Sequence, residues 1–341
     1  MRILLTGDTG YIGTQAAIGL RKDGHQVVGL DTDYFENCFI GWIETDKYPR
    51  LIKDIRDIEP RDLEGYDAVV HLAGLSNDVM GDISPELTQE INLISTMKLA
   101  EYAKMAGVRR FIFASSCSVY GASNSLCGEE DEIRPLTTYA KCKAAAEFEI
   151  SRLADKYFSP TFLRNATVFG YSQRLRTDLI VNTMVANAYT SGEIKINGDG
   201  SLWRPLVHVN DVVRAILMVL DSDATEVHDI TLNVGHNSEN YTVGQVAEMV
   251  KDALPATNII YVPSDDTRNY RVSFDKIETM FPKYAKNVIT VQDGIYELVT
   301  KLKYYGRKLD ITGQEFIRLK YLNYLMENSL IDSELCWTYH A

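Results

Sequence analysis

The chain has 341 residues, 45% hydrophobic and 24% charged, with a formal net charge of −12. That composition suits a soluble globular protein of one large or two smaller domains, and its negative field gives nucleic acid nothing to be steered by. No apolar run approaches the roughly eighteen residues that cross a bilayer, so no membrane partner is expected.

The first residues, "MRILLTGDTGYIG", read as a strand that begins almost at once, which leaves no room for a signal peptide. Cysteines stand at 38, 117, 127, 142 and 336, an odd number with no CxxC pair, and the histidines show no HxxxH or HExxH spacing. The expectation is a reduced, cytoplasmic protein without a disulfide framework or a metal site.

The first half alternates short apolar runs with amphipathic stretches, as a parallel sheet with crossover helices requires. Strands are expected at 2–6, 26–31, 67–73, 109–116 and 160–166, with helices near 11–23, 85–106 and 139–156. Ser84 can cap the second of these helices, Pro85 suits its first turn and Gly107 can end it. Beyond residue 170 the rhythm loosens. A strand end and a helix capped near Asn210 or Asp211 are expected over 207–222, a strand over 227–235, and a helix capped by Thr242 over 242–254. Apolar residues at 316, 319, 322, 325 and 326 predict a docking helix within 312–330.

"TGDTGYIG" (6–13) follows the first strand and opens the first helix. Glycines 7, 10 and 13 allow a tight turn, close approach of backbone to a pyrophosphate, and helix-to-strand packing. Asp31 ends the second strand, where a carboxylate accepts from both adenosine ribose hydroxyls and repels a 2′-phosphate. No arginine or lysine follows within several residues, so the cofactor expected is NAD.

"TYAKCK" places Tyr139 and Lys143 on one face at the start of a helix. About one such spacing is expected by chance among 20 tyrosines, so its weight comes from position, one loop after "FASSCSVYG" (113–121). Removing a proton from a sugar hydroxyl while hydride leaves its carbon calls for a phenolate-like base. A neighbouring ammonium lowers a tyrosine from its usual ~10, and a serine at the preceding strand end steadies the same oxygen.

These stretches resemble the extended short-chain dehydrogenase/reductases, and among them the nucleotide-sugar epimerases and dehydratases. The resemblance runs from residue 1 to about 300 through "TGDTGYIG", "DIRD" (54–57), "HLAG" (71–74), "EIN" (90–92), "ASSCSVYG", "YAKCK", "LRNATVFG" (163–170) and "GDGSLWRPLVHVNDV" (198–212). It implies a Rossmann-type, doubly wound α/β fold. The NAD-binding domain would span 1–170, with 206–236 returning to it, and 171–341 would form mainly a nucleotide-sugar subdomain and a C-terminal helix. By the same resemblance, Gly7, Gly10, Tyr11, Ile12, Gly13, Asp31, Asp54, Ile55, Leu72, Ala73, Gly74 and Asn165 would hold the cofactor together with Tyr139 and Lys143. Ser116, Tyr139 and Lys143 would be catalytic. Ser76, Cys117, Ser118, Thr167 and Arg204 would meet the substrate, and "DDTRNYR" (265–271) offers Arg268 and Arg271 as further diphosphate contacts. A homodimer is implied through the helices at 85–106 and 139–156. Two positions depart from the pattern: Thr167 replaces a common asparagine, and Pro205 a common aspartate.

The residues after Ser116 bear on the reaction. In the resembled 4,6-dehydratases an acid and a base fill these two positions, whereas here they are Cys117 and Ser118. Serine is a very poor base, so ordinary 4,6-dehydration is disfavoured. The resembled 3,5-epimerases use a cysteine two places after the serine. Cys117 comes one place after it, and a one-residue shift turns a side chain to the other face. What remains is reversible C4 oxidation of a nucleotide-linked hexose, a 4-epimerase. The alternatives within the fold are a net nucleotide-sugar dehydrogenase or reductase and an atypical dehydratase, and a non-catalytic NAD sensor is the alternative of another class.

Overall fold

The computed structural model describes residues 1–41, 48–76, 84–264, 268–305 and 309–338. Seven strands form one parallel sheet: β1 (Arg2–Thr6), β2 (Gln26–Asp31), β3 (Arg50–Ile52), β4 (Ala68–His71), β5 (Arg110–Ser116), β6 (Ser159–Asn165) and β7 (Ile230–Val234). Their spatial order is β7-β6-β5-β4-β1-β2-β3, so the winding reverses between β1 and β4. This is the expected doubly wound, Rossmann-type α/β architecture, in which ligands bind outside the strand carboxyl ends at the reversal.

Both faces of the sheet are covered, which is why its strands read as apolar runs. Ile3, Leu5, Val70 and Ile112 join one buried cluster, and Leu4, Val69, Phe111 and Phe113 join the other. That division follows the alternation of side chains along a strand. A third cluster, with Phe169, Val181, Leu206, Val246 and Leu298, forms a core of its own beside the sheet. There the strands Thr167–Phe169 and Trp203–His208 run parallel and carry Thr167 and Arg204.

Helix α1 (Tyr11–Lys22) starts directly behind the glycine loop. The helix expected over 85–106 is interrupted: Pro85–Gln89 leads through a π turn at Glu90–Ile94 into α2 (Ser95–Met105). At that turn the Asn92 amide accepts from the Leu75 N–H at 2.8 Å and donates to the Leu75 carbonyl at 2.9 Å. A π turn of this kind commonly accompanies a functional wall, and here it pins the segment after β4. Ser84 caps as expected, its Oγ accepting from the Leu87 N–H at 3.1 Å.

Helix α3 (Thr138–Ser151) is capped by Thr137 and ends before the predicted residue 156. The helix Val209–Asp221 is capped by His208, not by Asn210 or Asp211: its Nδ1 accepts from the Asn210 N–H at 3.2 Å. The three-residue strand β3 was too short to stand out as a periodic run. No helix among the described residues is long and apolar enough to cross a membrane.

Candidate active site

A cleft of about 620 Å³ opens along the carboxyl ends of β1, β2, β4, β5 and β6. Its floor at one end is the glycine loop. Gly7 has φ +74°, and a Cβ there would stand 2.7 Å from the Ala73 nitrogen, while a Cβ on Gly13 would fall 1.9 Å from the Gly7 oxygen. Gly10 holds the cap position of helix α1 and has no side chain to bond the helix start, so the first N–H groups and positive dipole end stay available to an anion.

At the end of β2, the Asp31 carboxylate accepts from the backbone N–H of Thr9 at 3.2 Å and of Asp33 at 3.1 Å. Burial, reinforced by Asp8 and Asp33, pushes its carboxyl up to about 6. Arg50 reaches this acidic corner from β3. It pairs with Asp8 at 2.6 Å and with Asp33 at 2.5 Å. That cation carries no sequence signal, and its charge is engaged by the two aspartates. Tyr11, Ile12, Asp54, Ile55, Leu72, Ala73, Gly74 and Asn165 line the same cleft.

The sheet register brings the chemistry-bearing residues together. Ser116, last in β5, is paired with Asn165, last in β6. The Ser116 Oγ accepts from the Ser118 N–H at 3.1 Å. Lys143 is 6% exposed; its Nζ donates to the Ala114 carbonyl at 2.7 Å and lies 5.8 Å from the Tyr139 ring centre. Burial draws this ammonium down to about 8, against the pull of Glu147 one turn further on. Asn165 Oδ1 and Ser118 Oγ are buried with no hydrogen-bond partner among the described residues, a state that a bound ligand relieves. By contrast His71, at the end of β4, is held between the hydroxyls of Thr6 (2.7 Å) and Thr96 (2.9 Å). Burial keeps it neutral, down to about 3, and it is a packing residue.

Ser76, Ser118, Thr167, Arg204 and Arg268 also line the cleft. Arg204 donates to the carbonyls of Trp203, at 2.9 Å, and of Arg268. Residues 265–267 of "DDTRNYR" lie outside the described residues. Two expected substrate contacts are corrected. Cys117 is 1% exposed, and its Sγ turns away from the cleft to donate to the Arg164 carbonyl at 3.1 Å. Desolvation holds its thiol well above the ordinary range. Arg271 is not among the lining residues; its guanidinium stacks 5.2 Å from the Trp203 ring centre.

Sequence reasoning missed two lining arginines. Arg176 is fork-bonded to Asp178 at 2.9 and 3.0 Å and donates to Ser76 Oγ at 2.8 Å. Arg318 comes from the C-terminal helix and is 2% exposed. A lone arginine among polar residues carries no periodic signal; only the fold shows that these two are buried at the cleft.

A glycine loop that a Cβ would fill, an uncapped helix start and an unpartnered amide oxygen beside Ser116, Tyr139 and Lys143 fit a dinucleotide. Together with the doubly wound sheet they define a dinucleotide-dependent α/β enzyme. The chain belongs to the NAD dependent epimerase/dehydratase family, whose model matches residues 3–235. It is similar to the UDP-glucose 4-epimerase of Mycolicibacterium smegmatis, 33% identical over 230 residues that cover 64% of this chain and 72% of that one. It is also similar to UDP-glucuronic acid decarboxylase 1 of Danio rerio, 24% identical over 91% of this chain and 73% of the relative. Among solved structures, MoeE5 in complex with UDP-glucuronic acid and NAD superposes with a TM-score of 0.79 at 26% identity, covering 89% of this chain and 99% of that one. The protein is therefore an enzyme of the nucleotide-sugar epimerases, dehydratases and decarboxylases, and its cofactor is NAD.

Proposed function

We propose that this enzyme is a nucleotide-sugar 4-epimerase, which passes a nucleotide-linked hexose through a 4-keto sugar and restores the hydroxyl with inverted configuration. The observation that carries the reading is the set of acid–base groups in the cleft. Among the described lining residues, the carboxylates are Asp31 and Asp54, beside the glycine-loop end, and Asp178, which is paired with Arg176; no glutamate, histidine or cysteine joins them. Elimination across C5 and C6, or epimerisation at C3 and C5, needs proton transfer at further carbons. Inversion at C4 needs one proton site only, and Tyr139 is suited to it.

Bound NAD supplies the acceptor and donor of the C4 hydride. Tyr139 takes the C4 hydroxyl proton and later returns one. Lys143, whose ammonium lies close to the Tyr139 ring, favours the phenolate, and Ser116 donates to the same oxygen as charge builds on it. Arg204 and Arg268 grip the substrate diphosphate by charge-assisted hydrogen bonds, while Ser76, Ser118 and Thr167 meet the sugar. The active form is a cytoplasmic homodimer. Ile94, Met105 and Phe148, on the helices that would pair, are 56%, 74% and 65% exposed, and this apolar surface supports the reading.

The test is incubation of the purified protein with UDP-, GDP-, CDP- and TDP-hexoses, with products identified by proton NMR. The expected result is a C4 epimer with no net NADH. Accumulation of free NADH, or loss of water or carbon dioxide without an epimer, overturns it.

A further inference from the structure

The family model ends at residue 235, yet the C-terminal segment returns to the glycine-loop end of the cleft. Arg318 opens the helix Arg318–Glu327 and lines the cleft while almost wholly buried. Its guanidinium lies 4.3 Å from the Phe35 ring centre, and its hydrogen bonds go to the carbonyls of Arg174 (3.1 Å) and Glu315 (3.4 Å). The nearest carboxylate, Asp178, is shared: both its oxygens accept from Arg176, and it also attracts Arg318. Arg174, Arg176 and Arg318 thus crowd one shared carboxylate, an arrangement that a further anion in the cleft would relieve, and the glycine loop that lines the same cleft is built to hold one.

Further along, at Glu334–Trp337, the chain fastens itself to the wall that follows Asp31. The Trp337 indole donates to the Thr32 carbonyl at 2.7 Å, and the Tyr34 hydroxyl donates to the Leu335 carbonyl. The two rings stand 5.7 Å apart. From the other side, Arg56 bridges Asp54 at 2.7 Å to the Glu334 carbonyl at 2.7 Å. Thr32, Tyr34 and Asp54 all line the cleft, so both of its edges here are tied to one strand of tail.

We propose that residues 311–338 form a clasp that completes the dinucleotide site and retains NAD. Arg318 supplies positive charge to the cofactor phosphates, and residues 334–337 lock the adenosine end. Release of the cofactor requires the wall at Thr32–Phe35 to move, which breaks the hydrogen bonds to Leu335 and Trp337. The proposal rests on the NAD cofactor and not on which sugar is converted.

The test uses full-length Trp337→Ala, Arg318→Met and Arg318→Lys. NAD retained through desalting is quantified by acid release and chromatography, and the dissociation rate is followed by chasing with fluorescent etheno-NAD. Trp337→Ala and Arg318→Met are expected to release NAD about 10-fold faster or more, as changed contacts act chiefly on dissociation, with Arg318→Lys between them and the wild type. Melting of the cofactor-free proteins reports folding separately. Should Arg318→Met fail to fold, Trp337→Ala decides, since its side chain is partly exposed. Release within twofold of wild type from folded Trp337→Ala overturns the clasp. Because release is read without substrate, failure of the 4-epimerase reading registers only in the product assay.

Discussion

Glu147 and Arg164 form an ion pair of 2.7 Å, each side chain 8% exposed, between the helix that carries Tyr139 and Lys143 and the strand β6 that ends in Asn165. Glu147 also accepts from Ser115 Oγ, and Arg164 donates to the Tyr120 hydroxyl at 3.0 Å. Tyr120 in turn donates to Asn233 Oδ1 at 2.7 Å, on β7. One buried network thus ties α3, β5, β6 and β7 directly behind the candidate catalytic residues. Removing one partner of a buried pair strands the other charge. Glu147→Gln and Arg164→Met are each expected to lower stability by about 3–5 kcal/mol in urea unfolding. The double variant is expected to lose less than the sum of the two. If the two losses simply add to within ~0.5 kcal/mol, the pair is not coupled.

Substitutions at Tyr139 and along "FASSCSVYG" separate chemistry from packing. Tyr139→Phe is expected to keep NAD while turnover falls about 10²–10⁴-fold, the range for a lost acid–base group. Ser116→Ala is expected to lose about 10²–10³-fold, as for one oxyanion donor. Cys117→Ala is expected to turn over normally and to lose stability, because its Sγ lies behind the cleft wall. A fall in kcat for Cys117→Ala comparable to that of Ser116→Ala would reverse the assignment.

The parts of this site that were legible in the sequence are those fixed by local constraint. A glycine loop between strand and helix can be read because each glycine answers a steric need within a few residues. Ser116 could be placed because a strand end and a one-residue register decide which side chains share a face. The same alternation separates Cys117 from the cleft, where the resemblance implies a substrate contact. Arg50, Arg176 and Arg318 were not legible, since each arrives from a separate element and only tertiary packing gives it a partner. Arg268 and Arg271 stand three apart, and the sequence cannot tell them apart; only the packing of Arg271 on Trp203 does so. The π turn at Glu90–Ile94 was hidden because its cause, Asn92 bonding to Leu75, is a long-range contact.

The exposed apolar residues on the two helix segments expected to pair give a test of assembly. Phe148 and Ile94, one on each segment, are 65% and 56% exposed in the single chain. Phe148→Glu combined with Ile94→Glu is expected to convert a dimer to a monomer in light scattering, with the cleft and NAD content intact. A wild-type protein that is monomeric at micromolar concentration removes the dimer.

Asp31 gives the clearest pH dependence. Its folded carboxyl is raised to about 6, first by burial and then by Asp8 and Asp33, above the ordinary carboxylate value near ~4. A group raised in this way favours the fold most fully below its unfolded value, and that contribution is lost as pH rises through the folded value. Cofactor binding runs the other way. The carboxylate is the form that accepts from ribose hydroxyls, so NAD affinity should rise as pH climbs through 6 and then level off. Below that point the dissociation constant is expected to weaken toward about tenfold per pH unit, the limit for one proton. Calorimetry on cofactor-free protein in buffers of different ionisation enthalpy should show proton release on binding near pH 6. Asp31→Asn should bind more weakly at neutral pH and show a flat profile. Equal wild-type affinity on both sides of that value, with no proton released, would mean that Asp31 does not meet the ribose.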